Sequence, residues 1–397
     1  MADLVARRVE AIERAIGPFL AAMMAPHAQR RVAGGAADFM AGNPQELALP
    51  GFVAALARWS VPQDKDWFAY KMMHPRAQEA AARGLGARLG LAFDAADIIL
   101  ARGASGGLAL PLHTVVDPGD EVLFVSPPWF FYEAMILAAG ATPVRVRVDP
   151  DTFDLDLDAI AGAVSAHTRA IILNTPHNPT GKIYPPQTLE RLAVLLTEAS
   201  ARYSRPIYVL ADEAYNRIVF DERPFHSPGR FYPYSFLIQT YSKSALAPGQ
   251  RLGYVALPPT MPDRERIRRA LLAVAFGHGD LPPDAVMQYA LPEIETLSID
   301  IGHLQRKRDR LVAALRDLGY EVHVPEGTFY LLPRTPIEDD VAFTEALARR
   351  DVFVLPGTAV EMPGYIRLSL TATDAMIDRA LPVFAAAIAD AAHSPAR

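Results

Sequence analysis

The sequence contains no cysteine, so disulfides, a thiolate nucleophile and cysteine-ligated metals are excluded, and a cytoplasmic location is the expectation. A long uninterrupted apolar run is also missing. The longest near the start, Ile16-Gly17-Pro18-Phe19-Leu20-Ala21-Ala22-Met23-Met24-Ala25, holds a Gly-Pro pair and is too short to cross a bilayer. Asp3, Glu10 and Glu13 precede it and do not suit the positive lead-in of a secretory signal, so the N-terminus reads as retained and the chain as soluble. There is no block of like charge, and the formal net charge is −6. Neither nucleic acid nor an anionic membrane is therefore expected as a partner. Internal repeats and low-complexity tracts are absent as well.

What is present is a 397-residue chain, long enough for two packed domains, with 51% hydrophobic residues dispersed along it. Leu4, Val5, Val9, Ile12, Ile16, Phe19, Leu20 and Met23 fall on one helical face, as in a helix that docks onto a body or a second subunit, with core packing as its first reading. From about residue 98 short β-rich runs alternate with helical patterns. Ile98–Ala101, Glu121–Val125, Pro143–Val148, Ala170–Asn174, Ile207–Ala211, Phe236–Thr240 and Gly253–Leu257 read as strands, and Leu189–Ala201 as a helix between two of them. That alternation implies an α/β domain around a mostly parallel sheet. After Arg264 the pattern changes to a long helix at Ile301–Leu318, short strands at Glu321–Val324 and Phe329–Leu332, and a closing helix at Asp374–Ala391. We expect residues 46–290 to form the large domain, and 1–45 with 291–397 a smaller α+β domain.

Chemistry gathers at the carboxyl ends of strands in open α/β sheets. Thr240-Tyr241-Ser242-Lys243, with Gly249-Gln250-Arg251-Leu252-Gly253 beyond it, combines an amine able to bond a carbonyl with hydroxyls and an arginine suited to phosphate. The combination suggests pyridoxal phosphate, although a lysine beside serines is also common on solvated surfaces. Arg102-Gly103-Ala104-Ser105-Gly106-Gly107 follows a strand and opens an apolar helical run, so free N–H groups there can receive an anion; a plain tight turn is the alternative. In Ser126-Pro127-Pro128-Trp129-Phe130-Phe131-Tyr132, Trp129 could stack on a flat ring or fill a core.

Asn174-Thr175-Pro176-His177-Asn178-Pro179-Thr180-Gly181 is a stiff turn that could aim the Asn178 amide at one atom, or merely connect two elements. In Leu210-Ala211-Asp212-Glu213-Ala214-Tyr215 an acid ends an apolar strand, where burial demands a partner such as a pyridinium N–H. Tyr215 could donate to a ring oxygen. A solvated turn remains the alternative, and without a histidine or further carboxylate at matching spacing no metal is expected. Arg367, alone within the apolar run Tyr365-Ile366-Arg367-Leu368-Ser369-Leu370, reads equally as a structural ion pair and as a fork for a substrate carboxylate.

Taken in order, these clusters resemble the class I/II aminotransferases of the fold-type I pyridoxal-phosphate enzymes. The resemblance runs from Asp38-Phe39-Met40-Ala41-Gly42-Asn43-Pro44 to Arg367. It implies a large domain with a mostly parallel seven-stranded sheet, a smaller α+β domain, pyridoxal 5′-phosphate as cofactor, amino acid and 2-oxo acid as substrates, and a homodimer with shared active sites. By similarity Lys243 would bind the cofactor and shuttle the substrate α-proton. Asp212 would pair with the pyridine nitrogen, Asn178 and Tyr215 with the ring hydroxyl, and Trp129 with the ring face. Ala104, Ser105, Thr240, Ser242 and Arg251 would cup the phosphate, joined by Tyr70 of the neighbouring subunit. Arg367 would bind the α-carboxylate, with Gly42, Trp129 and Asn178 on the substrate side.

The chain departs from the family pattern in places. Thr240 stands where serine or glycine is common, and its hydroxyl keeps the phosphate function. Lys71-Met72-Met73-His74-Pro75-Arg76, after Tyr70, lacks the usual glycine and leucine-arginine pattern. Phe276-Gly277-His278-Gly279-Asp280-Leu281-Pro282-Pro283 is atypical too and could line the substrate pocket of either subunit, with His278 read first as a solvent-exposed loop histidine. Ser105 takes a place where some relatives use lysine, so no cation for a distal carboxylate is evident, and a neutral or apolar amino acid is preferred. Transamination is the leading reaction. A lyase or synthase resembling aminocyclopropane-carboxylate synthase, or an oxidase, is the alternative. A non-catalytic regulator on this fold usually carries an added DNA-binding segment, and no spare basic domain reads out of this sequence to supply one.

Overall fold

Strand runs such as Ile98-Ile99-Leu100-Ala101 and Ala170-Ile171-Ile172-Leu173 are apolar on both faces, as parallel strands covered by helices on each side require. The computed structural model describes residues 4–25, 28–31, 35–40, 42–279 and 282–393. Ala41 of the first run, and Asp280 and Leu281 of the 276–283 segment, lie outside the described residues. Following β1 (Ala37–Asp38), the runs form β2 (Ile98–Arg102), β3 (Glu121–Ser126), β4 (Thr142–Arg147), β5 (Thr168–Asn174), β6 (Tyr208–Asp212), β7 (Ser235–Thr240) and β8 (Leu252–Ala256). They make one seven-stranded sheet in the order β2-β8-β7-β6-β5-β3-β4. All pairings are parallel except those of β8, which is antiparallel to both β2 and β7. Leu100, Leu123, Leu173, Val209 and Leu237 face one core, and their neighbours Ile99, Phe124, Ile172, Leu210 and Ile238 face the other.

A second body holds β9 (Tyr330–Leu331), β10 (Val352–Phe353), β11 (Leu355–Pro356) and β12 (Ile366–Ser369). β1 pairs in parallel with β10, while β12 lies antiparallel between β11 and β9. Helices Ile301–Asp317, Asp340–Ala348 and Asp374–His393 cover these strands around Phe39, Leu311, Phe343, Leu347 and Phe384. The strand expected at Glu321–Val324 does not form. Val322 makes only an isolated bridge to Pro333, and with Pro325 close behind two backbone donors are missing from that ladder.

The N-terminal helix runs from Arg7 to Met23 straight through Pro18 and packs on helix Tyr132–Ala138. It docks as its apolar face implies, yet none of its residues is fully buried, so it is a surface element rather than part of a core. Among the described residues no helix is long and apolar enough to cross a membrane.

Candidate active site

Parallel strands deliver their last residues to one edge of a sheet, and here Ser126, Asn174, Asp212 and Thr240 end β3, β5, β6 and β7 side by side. Above that edge lies a cavity of about 210 Å³ that Gly42, Ala104, Ser105, Trp129, Asn178, Asp212, Tyr215, Thr240, Ser242, Lys243, Arg251 and Arg367 all line. Every sequence-predicted site residue except Tyr70 therefore meets in one place.

Asp212 lies on the cavity floor and is 5% exposed. Burial pushes its carboxyl above the usual range, against a hydrogen bond from Tyr132 and the charge of Lys243. The Tyr132 hydroxyl donates to Oδ2 at 2.6 Å, and the Ala214 N–H reaches Oδ1 at 3.2 Å. A polar relay leads onward. Asn174 Nδ2 donates to the Asp212 carbonyl at 2.8 Å, its Oδ1 accepts from the Asn178 N–H at 2.7 Å, and Asn178 Oδ1 accepts from Arg367 Nη1 at 3.0 Å. The rigid turn thus faces both the floor and the guanidinium.

Arg367 is 3% exposed and makes no ion pair of its own among the described residues. Its Nη2 donates to the Met40 carbonyl at 3.2 Å, its guanidinium carbon sits 4.1 Å from the centre of the Tyr330 ring, and its Nε is buried with no hydrogen-bond partner. A buried arginine fork with an unused donor suits a carboxylate better than the structural ion pair that the sequence left open. Lys243 Nζ lies 5.9 Å from the Tyr215 ring centre and 5.6 Å from that of Phe329.

The other end is built for an anion. Helix Gly103–Val115 begins at the cavity, so the N–H groups of Ala104 and Ser105 belong to its unpaired first turn. Gly103 has φ +67°, and a Cβ there would stand 2.7 Å from Arg251 Nη2. Arg251 itself is fixed over the turn, Nη1 to the Pro248 carbonyl at 2.9 Å and Nη2 to the Arg102 carbonyl at 3.2 Å. Thr240 Oγ lies 2.9 Å from Ser242 Oγ on the adjoining wall. Floor carboxylate, amine, arginine fork and helix-start cradle together fit the charge pattern of pyridoxal phosphate bound with an amino acid.

The remaining wall is aromatic. Trp129 meets Tyr132 edge-on at 5.5 Å, and Phe130 stacks on Phe19 of the N-terminal helix with centroids 3.8 Å apart. Phe19 and Met23 both line the cavity. The sequence missed Tyr132, Tyr330 and Phe19 as site residues. Tyr132 closes the run Ser126–Tyr132 but nothing in the sequence marks it as a partner of Asp212, and Phe19 was legible only as one member of a helical stripe.

Two expectations lie away from this cavity. Tyr70 is 92% exposed, in a surface hollow with Phe68, Met72, Arg102 and Pro283. His278 is exposed, as its first reading expects; it follows helix Arg264–Gly277, its ring is 4.1 Å from that of His113, and it does not line this cavity.

With this geometry in view, the sequence model of the family described as "Aminotransferase class I and II" matches residues 37–384. The chain belongs to that family. It is 31% identical over 357 residues to an aspartate/prephenate aminotransferase of Thermus thermophilus, covering 87% of this chain and 89% of the relative. Identity to an arginine–pyruvate transaminase of Pseudomonas aeruginosa is 29% over 296 residues, 71% of this chain and 72% of that one. A solved amino transferase of Eubacterium rectale superposes with a TM-score of 0.86 at 26% identity, covering 98% of this chain and 96% of its own. This aminotransferase therefore has the fold-type I architecture, depends on pyridoxal 5′-phosphate, and moves amino groups between amino and 2-oxo acids.

Proposed function

We propose that the amino donor is an L-amino acid with a large apolar side chain. One observation carries this reading: around Arg367 the cavity wall is Phe19, Met23, Met40, Phe130 and Tyr330, and the other cations lining it, Lys243 and Arg251, stand at the amine and phosphate ends. A distal carboxylate such as that of aspartate would meet aromatic carbon and remain unpaired, at a cost of several kcal/mol. An apolar side chain would be desolvated favourably, at about 25 cal/mol per Å². The Thermus relative is named for aspartate and prephenate, so the preference proposed for this chain is its own.

Bound pyridoxal phosphate supplies an electron-poor ring that draws the electron pair from the substrate α-carbon. Lys243 would hold the cofactor through its amine, then take the α-proton and return it. Asp212 would keep its charge against the ring nitrogen, and Asn178 and Tyr215 would orient the ring hydroxyl. Trp129 would cover the ring face. Ala104, Ser105, Thr240, Ser242 and Arg251 would receive the phosphate. Arg367 would grip the α-carboxylate while Gly42, Trp129 and Asn178 border the substrate. We further infer a homodimer in the cytoplasm: Tyr70, too exposed to serve its own cavity, borders Arg102, whose carbonyl holds Arg251, and is suited to reach a second subunit's phosphate cup.

The test mixes purified, cofactor-loaded protein with single amino acids and no oxo acid, following the cofactor's visible absorbance and the oxo acid released. Phenylalanine, leucine and methionine are expected to convert the cofactor at least about tenfold more efficiently than aspartate. Equal or better conversion by aspartate would overturn the substrate reading. Light scattering giving a monomer that is fully active would remove the dimer.

A further inference from the structure

β12 and β9 run antiparallel with Ser369 opposite Tyr330 and Leu368 opposite Leu331. In that register Arg367 and Tyr330 are diagonal neighbours on one face, and the guanidinium lies over the phenol ring with its carbon 4.1 Å from the ring centre. The Tyr330 hydroxyl points the other way, 3.4 Å from the Tyr215 hydroxyl. The loop leading from β1 closes over the same phenol: the Met40 carbonyl accepts from Arg367, and a Cβ at Gly42 would collide with the Tyr330 hydroxyl. Two functional side chains and a substrate-side loop thus converge on one tyrosine.

We propose that Tyr330 is a positioning residue for amino transfer: its ring is the platform that aims Arg367 at the substrate carboxylate, and its hydroxyl ties that platform to Tyr215. The proposal rests on the roles assigned above to Arg367 and Tyr215. The arginine needs such a platform because its hydrogen bonds, Nη1 to Asn178 and Nη2 to the Met40 carbonyl, leave Nε without a partner. An aromatic face holds the fork in plane without consuming the donors a carboxylate requires. The hydroxyl is the part that packing alone does not explain, since phenylalanine would fill the same volume. Burial opposes its ionisation most strongly, but Arg367, Lys243 and the hydrogen bond from Tyr215 together outweigh it and hold the Tyr330 phenol below its ordinary value, while burial and Tyr330 together hold Tyr215 well above. Tyr215, Arg367 and Lys243 are the charged or titratable groups that act on it. Of the two phenols, Tyr330 releases its proton first, and Tyr215 stays protonated to donate.

The experiment separates ring from hydroxyl with Tyr330→Phe and Tyr330→Leu in the cofactor-loaded enzyme. Calorimetry measures the binding of 3-phenylpropionate, which carries a carboxylate but no amine to react, so the answer does not depend on turnover. Y330F is expected to bind within about twofold of wild type and Y330L about tenfold more weakly. In assays with the preferred donor, Y330F is expected to keep KM, lower kcat and extend the alkaline limb of the pH profile to higher pH. Wild-type binding by Y330L overturns the platform, as does an equal loss in both variants. A wild-type kcat and pH profile in Y330F overturns the tie to Tyr215. Should Y330L fail to retain cofactor, Tyr330→Met replaces it. Failure of the functional reading is a different result, in which the wild type binds the carboxylate but converts no amino acid.

Discussion

Tyr132 and Asp212, eighty residues apart in sequence, meet through a 2.6 Å hydrogen bond, both side chains buried. Burial alone drives the Asp212 carboxyl toward its neutral form, and Tyr132 is the largest of the influences that oppose it. Tyr132→Phe should raise that carboxyl further and weaken cofactor binding by about tenfold, within the ~1–3 kcal/mol of an unmet buried hydrogen bond. Because protonation discharges the carboxylate, the loss should deepen as pH falls. Equilibrium dialysis with pyridoxal phosphate from pH 8 to pH 6 measures it, and equal affinities throughout would show that the bond has no bearing on the cofactor.

Lys243→Ala removes the amine proposed to hold the cofactor and carry the α-proton. Turnover should fall by at least ~10³-fold, in the range of a lost general base combined with a lost nucleophile. Borohydride reduction followed by mass spectrometry should fix cofactor on the wild type at residue 243 and leave the variant unlabelled. Label at another lysine would displace Lys243 from the mechanism.

Phe19→Ala opens the aromatic wall where Phe19 stacks on Phe130. The value of kcat/KM for phenylalanine should drop by about tenfold or more, the effect of losing a stacked aromatic contact and its buried area. Alanine, too short to reach that wall, should change by less than about twofold. A uniform loss across donors would place Phe19 in the fold instead of the specificity pocket.

Gly103→Ala puts a side chain at φ +67° and against the Arg251 guanidinium. The backbone strain of roughly 1–2 kcal/mol lowers the stability of the fold with or without cofactor, while the Cβ displaces the Arg251 guanidinium, so the dissociation constant of the cofactor should rise about tenfold. Saturating cofactor should restore most of kcat. A variant that binds cofactor normally but turns over slowly would contradict a phosphate role for this turn.

Two buried groups near the site give opposite pH slopes to stability. Burial raises the Glu213 carboxyl from 4.5 to about 7 and lowers His177 from 6.5 to about 4. Between pH 4.5 and 7 the native state holds more protons than the unfolded chain at Glu213, so that contribution falls as pH rises; between pH 4 and 6.5 it holds fewer at His177, so that one increases. Glu213→Gln removes the first slope. Relative to wild type, the variant should gain on the order of 3 kcal/mol from pH 4.5 to 7, read from urea unfolding midpoints. A constant difference between the two proteins would exclude Glu213 from the pH dependence.

The sequence was most legible where one residue's surroundings are local. The seven large-sheet strands stood out because strands buried on both faces are continuous apolar runs, and the residues ending them were readable as site candidates because parallel strands share one active edge. Asp212 could be read as a buried acid. Its partner Tyr132 could not, because a hydrogen bond across eighty residues leaves no periodic mark. Tyr330 was visible only as part of a short strand, since its importance depends on the β9–β12 register. Phe19 belonged to a recognisable helical stripe, but the stripe says that a face is covered and not that a cavity lies beneath it. The false strand at Glu321–Val324 arose because β propensity does not count absent donors in the partner chain segment.

The antiparallel strand β8 also sets the order in which the phosphate cup can be assembled. Among the described residues β2 lies at the sheet edge and pairs only with β8, which follows it by about 150 residues. At ~5–20 residues per second of synthesis, the Ile98-Ile99-Leu100-Ala101 run waits roughly 8–30 seconds for its partner. Helix Gly103–Val115 and Arg251 meet only when that pairing closes, so the nascent chain carries an uncovered apolar edge ahead of its cofactor site.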